Sequence, residues 1–222
     1  CNITTWDTQD VTDMSELFKD KTTFNSNIEY WVVSEVTDMS SMFNGATSFN
    51  QNLIRWSMNS VVVVKDMFLK SGTQFGGIKE VLKTLVEEWI ATPWTTHENY
   101  GDIDTWNVLQ ITNMSSLFQN GRLKQGQSTG GTTLNTAGFN SDITHWDVEN
   151  VTDMTSMFEG ATNFDRNLNS WSMNRVVVVP NMFFNAGTQF GGIKEVLKTL
   201  VEEWIASPWT EKGKYGVINN WD

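Results

Sequence analysis

Few residues of this chain have the types and spacing that chemistry needs. The two histidines, His97 and His145, stand far apart, with no Cys or His at metal-ligand spacing around either. Both read as surface or rim residues. No Ser-His-Asp set is supported. The glycines of "GTQFGG" (72–77) lack the lysine and the spacing of a phosphate loop, and a helix boundary explains them. Acidic residues recur in a row at Asp13, Asp38 and Asp153, with Asn113 at the matching station. The plain reading is a ladder of helix N-caps. The sharper one is Ca²⁺ held between repeats, weakened because no second acidic ladder completes an oxygen cage. No catalytic residue, metal or cofactor is therefore expected, and an enzyme is not. Asn2, Asn113 and Asn150 open Asn-x-Ser/Thr sequons, either glycan acceptors or coincidences in a chain rich in Asn and Thr. Cys1 is the one cysteine, so no disulfide forms within the chain. It is either an ordinary residue or a lipid-bearing or intermolecularly bonded one.

The elements that would position these residues repeat. Trp6, Trp31 and Trp56 are spaced by 25 residues, and Trp106, Trp146, Trp171 and Trp221 keep the phase apart from one insertion. Ile or Leu stands three residues before each: Ile3, Ile28, Leu53, Ile103, Ile143, Leu168, Ile218. Val or Ile follows five after, Met or Val eight after, and a Leu-Phe or Met-Phe pair eleven and twelve after. A 25-residue coil cannot bury such a set alone, so stacked coils are expected to build ladders of Trp, Ile/Leu and Phe through one continuous core. The fold expected is an α/β repeat solenoid of the leucine-rich-repeat kind. Ile-x-x-Trp-x-Val, as in "ITHWDV" (143–148), would be a short parallel strand. Thr-Asp-Met-Ser would start a short helical turn, with Asp13 and Glu16 as a capping box.

Each fourth coil lacks its tryptophan and reads "GTQFGGIKEVLKTLVEEWIA" (72–91 and 187–206). Ile78, Val81, Leu82, Leu85 and Trp89 make one apolar stripe opposite Lys79, Glu80, Lys83, Glu87 and Glu88. Amphipathic helices are expected over 78–90 and 193–205, with Pro93 stopping the first. The larger unit then spans 1–100 and again 101–215, the second carrying a polar surface-loop insertion over 119–138. Residues 216–222 start a third unit. The third coil of each unit has valines where the others have Thr-Asp: Val62, Val63 and Val64, then Val177, Val178 and Val179. These are expected to seat the apolar stripe of the neighbouring helix.

The stretch "WVVSEVTDMSSMFNGATSFNQNL" (31–53), with "ITHWDVENVTDMTSMFEGATNFDRNL" (143–168), resembles the BspA-like leucine-rich-repeat surface proteins. The resemblance covers almost the whole chain. It implies a secreted or surface-anchored protein of adhesive, coat or interaction type, and it implies no catalytic residues.

Composition narrows the partners. The net charge is −11 with no basic run, so nucleic acid and anionic membrane surfaces are not expected. No apolar stretch approaches the roughly 20 residues that span a bilayer. The expectation is an extracellular structural or adhesive protein. Its partners would be copies of itself, further repeats of the same chain, or other surface proteins, with a glycan- or ligand-binding surface as the alternative. The matched phases of "CNITTWD" (1–7) and "YGVINNWD" (215–222) are those of a piece cut from a longer array or of a subunit whose two ends abut on other copies.

Overall fold

In a computed structural model the described residues are 2–56, 58, 63–124, 133–176, 179–188 and 191–206. They belong to two compact units. The first is Cys1–Ile111 with Leu123–Thr132, and the second is Thr112–Arg122 with Thr133–Asp222. The first unit runs past the phase boundary at 100 because Trp106 packs back into it, 5.8 Å from Phe75 and edge-on at 6.0 Å to Trp89.

The coils are built from tight turns. In the second coil the buried residues Val33, Val36, Met39 and Met42 recur every third position, and so do Phe43, Ala46 and Phe49. The backbone bonds three residues back between these same residues. Val36 N–H donates to Val33 (3.1 Å), Met42 to Met39 (3.2 Å), Ala46 to Phe43 and Phe49 to Ala46 (both 2.9 Å). A strand places side chains on one face with period 2, and an α-helix with period 3.6. A period of three with i→i−3 bonds is a run of corners, each turning one apolar side chain inward.

The expected leucine-rich-repeat-like solenoid with short parallel strands is therefore overturned. Among the described residues there is no strand and no sheet. Parallel pairing shrinks to single bridges, Asp13 with Asp38, Asp38 with Val63, and Asn113 with Asp153. The "ITHWDV" segment is a turn, closed by Trp146 N–H on Ile143 (3.2 Å). The short helix expected after Asp13 is absent too. Glu16 sits at φ 56°, which a right-handed helix cannot accept.

What joins coil to coil is a ladder of backbone bonds, most running forward and a few returned by the later coil, as from Thr37 N–H to Thr12 (2.8 Å) and Ser48 N–H to Thr22 (3.1 Å). In the first coil Met14, Glu16, Phe18 and Asp20 donate to the carbonyls of Asp38, Ser40, Met42 and Asn44 at 2.8–2.9 Å. Met39, Ser41, Phe43 and Gly45 donate likewise to Val63, Lys65, Met67 and Leu69. The N–H groups between them close the turns. Aiming alternate amides along the stack requires left-handed residues at a fixed station: Glu16, Ser41 and Asp66 at φ 55–56°. The next such station holds Asp20, Gly45 and Lys70. Behind the ladder, Phe18, Phe43 and Phe68 stack at 5.5 and 5.2 Å. Phe24 and Phe49 form a parallel row at 5.7 Å. The second unit repeats the plan through Phe118, Phe158 and Phe183, at 5.3 and 5.2 Å.

The helices are α1 (Lys79–Ala91), α2 (Pro93–Tyr100) and α3 (Lys194–Ala206). The two expected helices thus begin one residue later than read, because Ile78 keeps an extended backbone at the N-cap of α1. α2 was not anticipated. Pro93 ends one helix and opens the next, since a first-turn residue needs no N–H. Gly76 and Gly77, both at positive φ, pass so close to Phe68 and Asn52 that a Cβ would stand 2.7 Å from either side chain.

Candidate assembly and binding surfaces

The tryptophan corners are the most regular polar feature of the core. Trp31 Nε1 donates to the carbonyl of Ile3 (2.9 Å), Trp56 to Ile28 (3.1 Å) and Trp171 to Ile143 (3.1 Å), so each indole is satisfied by the preceding coil. This is what a buried indole N–H requires. Trp31, Trp56, Trp106, Trp146 and Trp171 are buried. Trp6 is 53% exposed, stacked at 6.2 Å on Trp31 on one side only. Trp221 lies outside the described residues.

The acidic row caps turns. Asp13, Asp38, Asn113 and Asp153 each accept the backbone N–H two residues on, at 2.7–2.9 Å. The bonds from the Ser15 side chain and then its backbone hold the Asp13 carboxyl below the usual range. These are Asx turns that fix the corner before the left-handed station, and the capping expected of these residues operates on turns in place of helices. Among the described residues no three His, Cys, Asp or Glu side chains cluster as metal ligands would.

The sequons differ in setting. Asn2 is exposed, and its Oδ1 accepts Thr4 N–H at 3.2 Å. Asn113 is committed at both ends of its amide, donating to Asp153 Oδ2 (3.1 Å) and accepting from Ser115. Asn150 is half-buried. His97 lies 3.9 Å from Asp102 on the surface and His145 is exposed, so neither joins a site. Cys1 lies outside the described residues. So does "GQSTG" (126–130), a Gly-x-Ser-x-Gly sequence within the polar insertion, which no apolar run precedes as the strand of a nucleophile elbow would require.

The valine seat is only partly testable, since Val62, Val177 and Val178 lie outside the described residues. Val63 is not covered by the helix. It takes the outward station of Asp38 and is 47% exposed, a correction to the expected docking seat. Val64 takes the inward station of Met39 and is buried, and Val179 is half-buried. Beside Asp66 of the third coil stand Glu88 of α1 and Tyr100 of α2. Tyr100 Oη lies 3.5 Å from Asp66 Oδ1. Burial, then Asp66, raises the Glu88 carboxyl above its usual range, and the same two causes push the Tyr100 hydroxyl far up.

Among the described residues of the first unit, three recesses have the shape to receive something. A polar cleft of about 310 Å³ is lined by Asn50, Ser71, Thr73, Gln74, Asn107 and Gln110. Another of about 310 Å³ runs beside Glu29, Tyr30, Val32 and Arg55. There Tyr30 is 66% exposed, with the Arg55 guanidinium 5.3 Å over its ring. The third, about 550 Å³, lies against Ile3, Trp6, Leu17, Phe18, Lys21 and Asn25 of the first coil. Leu17 is 46% exposed there.

No helix among the described residues is long and apolar enough to cross a membrane. The chain matches no curated protein and no solved structure. A family model does match, over residues 1–83 and 94–196, so that nearly all of the turn-coil sequence is covered. The chain belongs to the repeat family described as Mycoplasma protein of unknown function, DUF285.

Proposed function

We propose that the protein is an extracellular structural or adhesive repeat protein that joins other copies end to end and presents its coils to surface partners. The observation that carries this reading is the stack itself, in which each coil binds the next through its own backbone amides and its row of Phe rings, so that like adds to like. Family membership and the likeness to BspA-like surface proteins support the location. The test is protease treatment of intact cells that make the protein. Loss of the protein with cytoplasmic markers spared supports a surface location, and full protection until lysis refutes it.

A second reading, glycan binding, is favoured by the Tyr30 cleft. It offers an exposed ring face, the Arg55 donors and the Glu29 carboxylate within one small recess, while the matching positions of the second unit, Thr144, His145, Asn169 and Ser170, lack an exposed aromatic ring beside a cation. A glycan array should give hits that Tyr30→Ala removes. An empty array counts against it.

A further inference from the structure

The polar cleft of the first unit lies where the turn coils give way to the helical coil, and it is lined by side-chain amides that the fold leaves unpaired. In the ordinary coils the residue after the inner Phe is bonded by the coil that follows. Asn25 Oδ1 accepts the Asn50 N–H (3.1 Å) and Gln51 Nε2 (2.8 Å), and Asn140 Nδ2 donates to Asp165 (2.7 Å). By the same rule the third coil should bond Asn50. There the station after Phe75 is Gly76, which has no side chain and whose N–H turns to Thr73 Oγ1 (3.2 Å). Asn50 thus lines the cleft with a side-chain amide that makes no hydrogen bond among the described residues. Gln110, half-buried on the wall from the Trp106 coil, makes none through its side chain either. Asn107 uses only its Oδ1, which accepts Leu109 N–H (3.2 Å). Gln74 braces the walls: its Oε1 accepts Asn107 N–H (2.8 Å) and its Nε2 donates to the Tyr100 carbonyl (3.4 Å).

We propose that this cleft binds a neutral saccharide of one or two rings, through the amides of Asn50, Asn107 and Gln110. Each amide offers both donors and an acceptor, and each sugar hydroxyl donates and accepts, so adjacent hydroxyls can pair several amides at once. None of the described residues lining the cleft is charged, so an ionic ligand would lose its hydration and meet no counter-charge. An apolar ligand finds little surface, because Phe75 and Ile111 are 2% and 1% exposed. The volume of about 310 Å³ stands at the lower end for ligand clefts. In the second unit Asp165 takes the place of Asn50, and Ala186 that of Ser71. The coil folds with either set, so folding does not require the neutral groups of the first. The cleft shares no lining residue with the Tyr30 recess and does not rest on end-to-end assembly.

The test uses the full chain and the variants Asn50→Leu, Gln110→Leu and Tyr30→Ala, with thermal midpoints to check folding. An array of neutral and anionic saccharides selects the probe. The best neutral hit is then titrated into the wild-type chain while the side-chain amide signals of Asn50, Asn107 and Gln110 are followed by NMR. Those signals should shift. Asn50→Leu and Gln110→Leu should each weaken binding about tenfold, and Tyr30→Ala should leave it unchanged. An array without neutral hits, a preference for anionic saccharides, or amide signals that stay still would overturn the proposal. Hits lost in Tyr30→Ala and kept in Gln110→Leu would also overturn it, and would move the binding to the Tyr30 recess.

Discussion

Replacing Ser41 by glycine in one variant and by valine in another separates a turn-built coil from a strand-built one. Ser41 sits at φ 55°. Its N–H donates to the Lys65 carbonyl (2.9 Å) and its carbonyl accepts from Asn44 (3.1 Å), bonds that neither substitution removes. The left-handed region costs an L-residue about 1–2 kcal/mol. Glycine removes that cost but loses about 0.5–1 kcal/mol through the greater freedom of its unfolded chain. The glycine variant should thus be neutral to about 1 kcal/mol more stable. Valine is β-branched and a genuine outlier at this φ, so it should lose about 1–2 kcal/mol. The spread between the two variants is about 2 kcal/mol, well above the error of paired urea unfolding curves with a shared slope. Ser116, at φ 57° in the second unit, provides a replicate. In a strand the order reverses, with valine favoured and glycine worst. Valine at least as stable as serine, with glycine below both, would refute the turn geometry.

Other outcomes follow from the same contacts. Phe43 is fully buried between Phe18, Phe49 and Phe68, so Phe43→Ala should cost about 3–5 kcal/mol in chemical denaturation, whereas Trp6→Ala at a half-exposed corner should cost far less. Glu88 has a raised folded-state pKa, so the fold binds its proton more tightly than the unfolded chain does. Stability should therefore fall as pH rises from the ordinary carboxylate range through the raised pKa. Glu88→Gln should raise the thermal midpoint at neutral pH and flatten that part of the profile. Val63 stands at the exposed station of Asp38, so Val63→Asp should leave the circular dichroism spectrum unchanged and gain up to about 1 kcal/mol from a new cap.

The repeat was legible because ladders need like residues at one phase. The Trp, Ile/Leu and Phe registers are the stacked rows of the core, and the Asp row is the row of turn caps. The helices were legible from their 3.6-residue stripe to within one residue. The strands were misread because Ile-x-x-Trp-x-Val was matched to a known repeat by its apolar spacing, while the signal was the period of three running on through Val36, Met39 and Met42. Neither Glu16 nor Ser41 announces a left-handed backbone. Only Gly45, at the second such station, does. Asp66, Glu88 and Tyr100 meet through the stacking of a helical coil on a turn coil, a contact no local pattern encodes. Val63 could not be told from a core residue because chemistry alone does not say which way a turn residue points.

The most direct measurement of the turn-coil stack is through-bond NMR coupling across its hydrogen bonds. The account predicts couplings from the amides of Glu16 and Phe18 to the carbonyls of Ser40 and Met42, and from the amide of Phe43 to the carbonyl of Met67. It also predicts that Met42 and Ala46 couple three residues back, to Met39 and Phe43. Coil-to-coil couplings without the three-back set would mean extended strands and would contradict the architecture on which every surface described above depends.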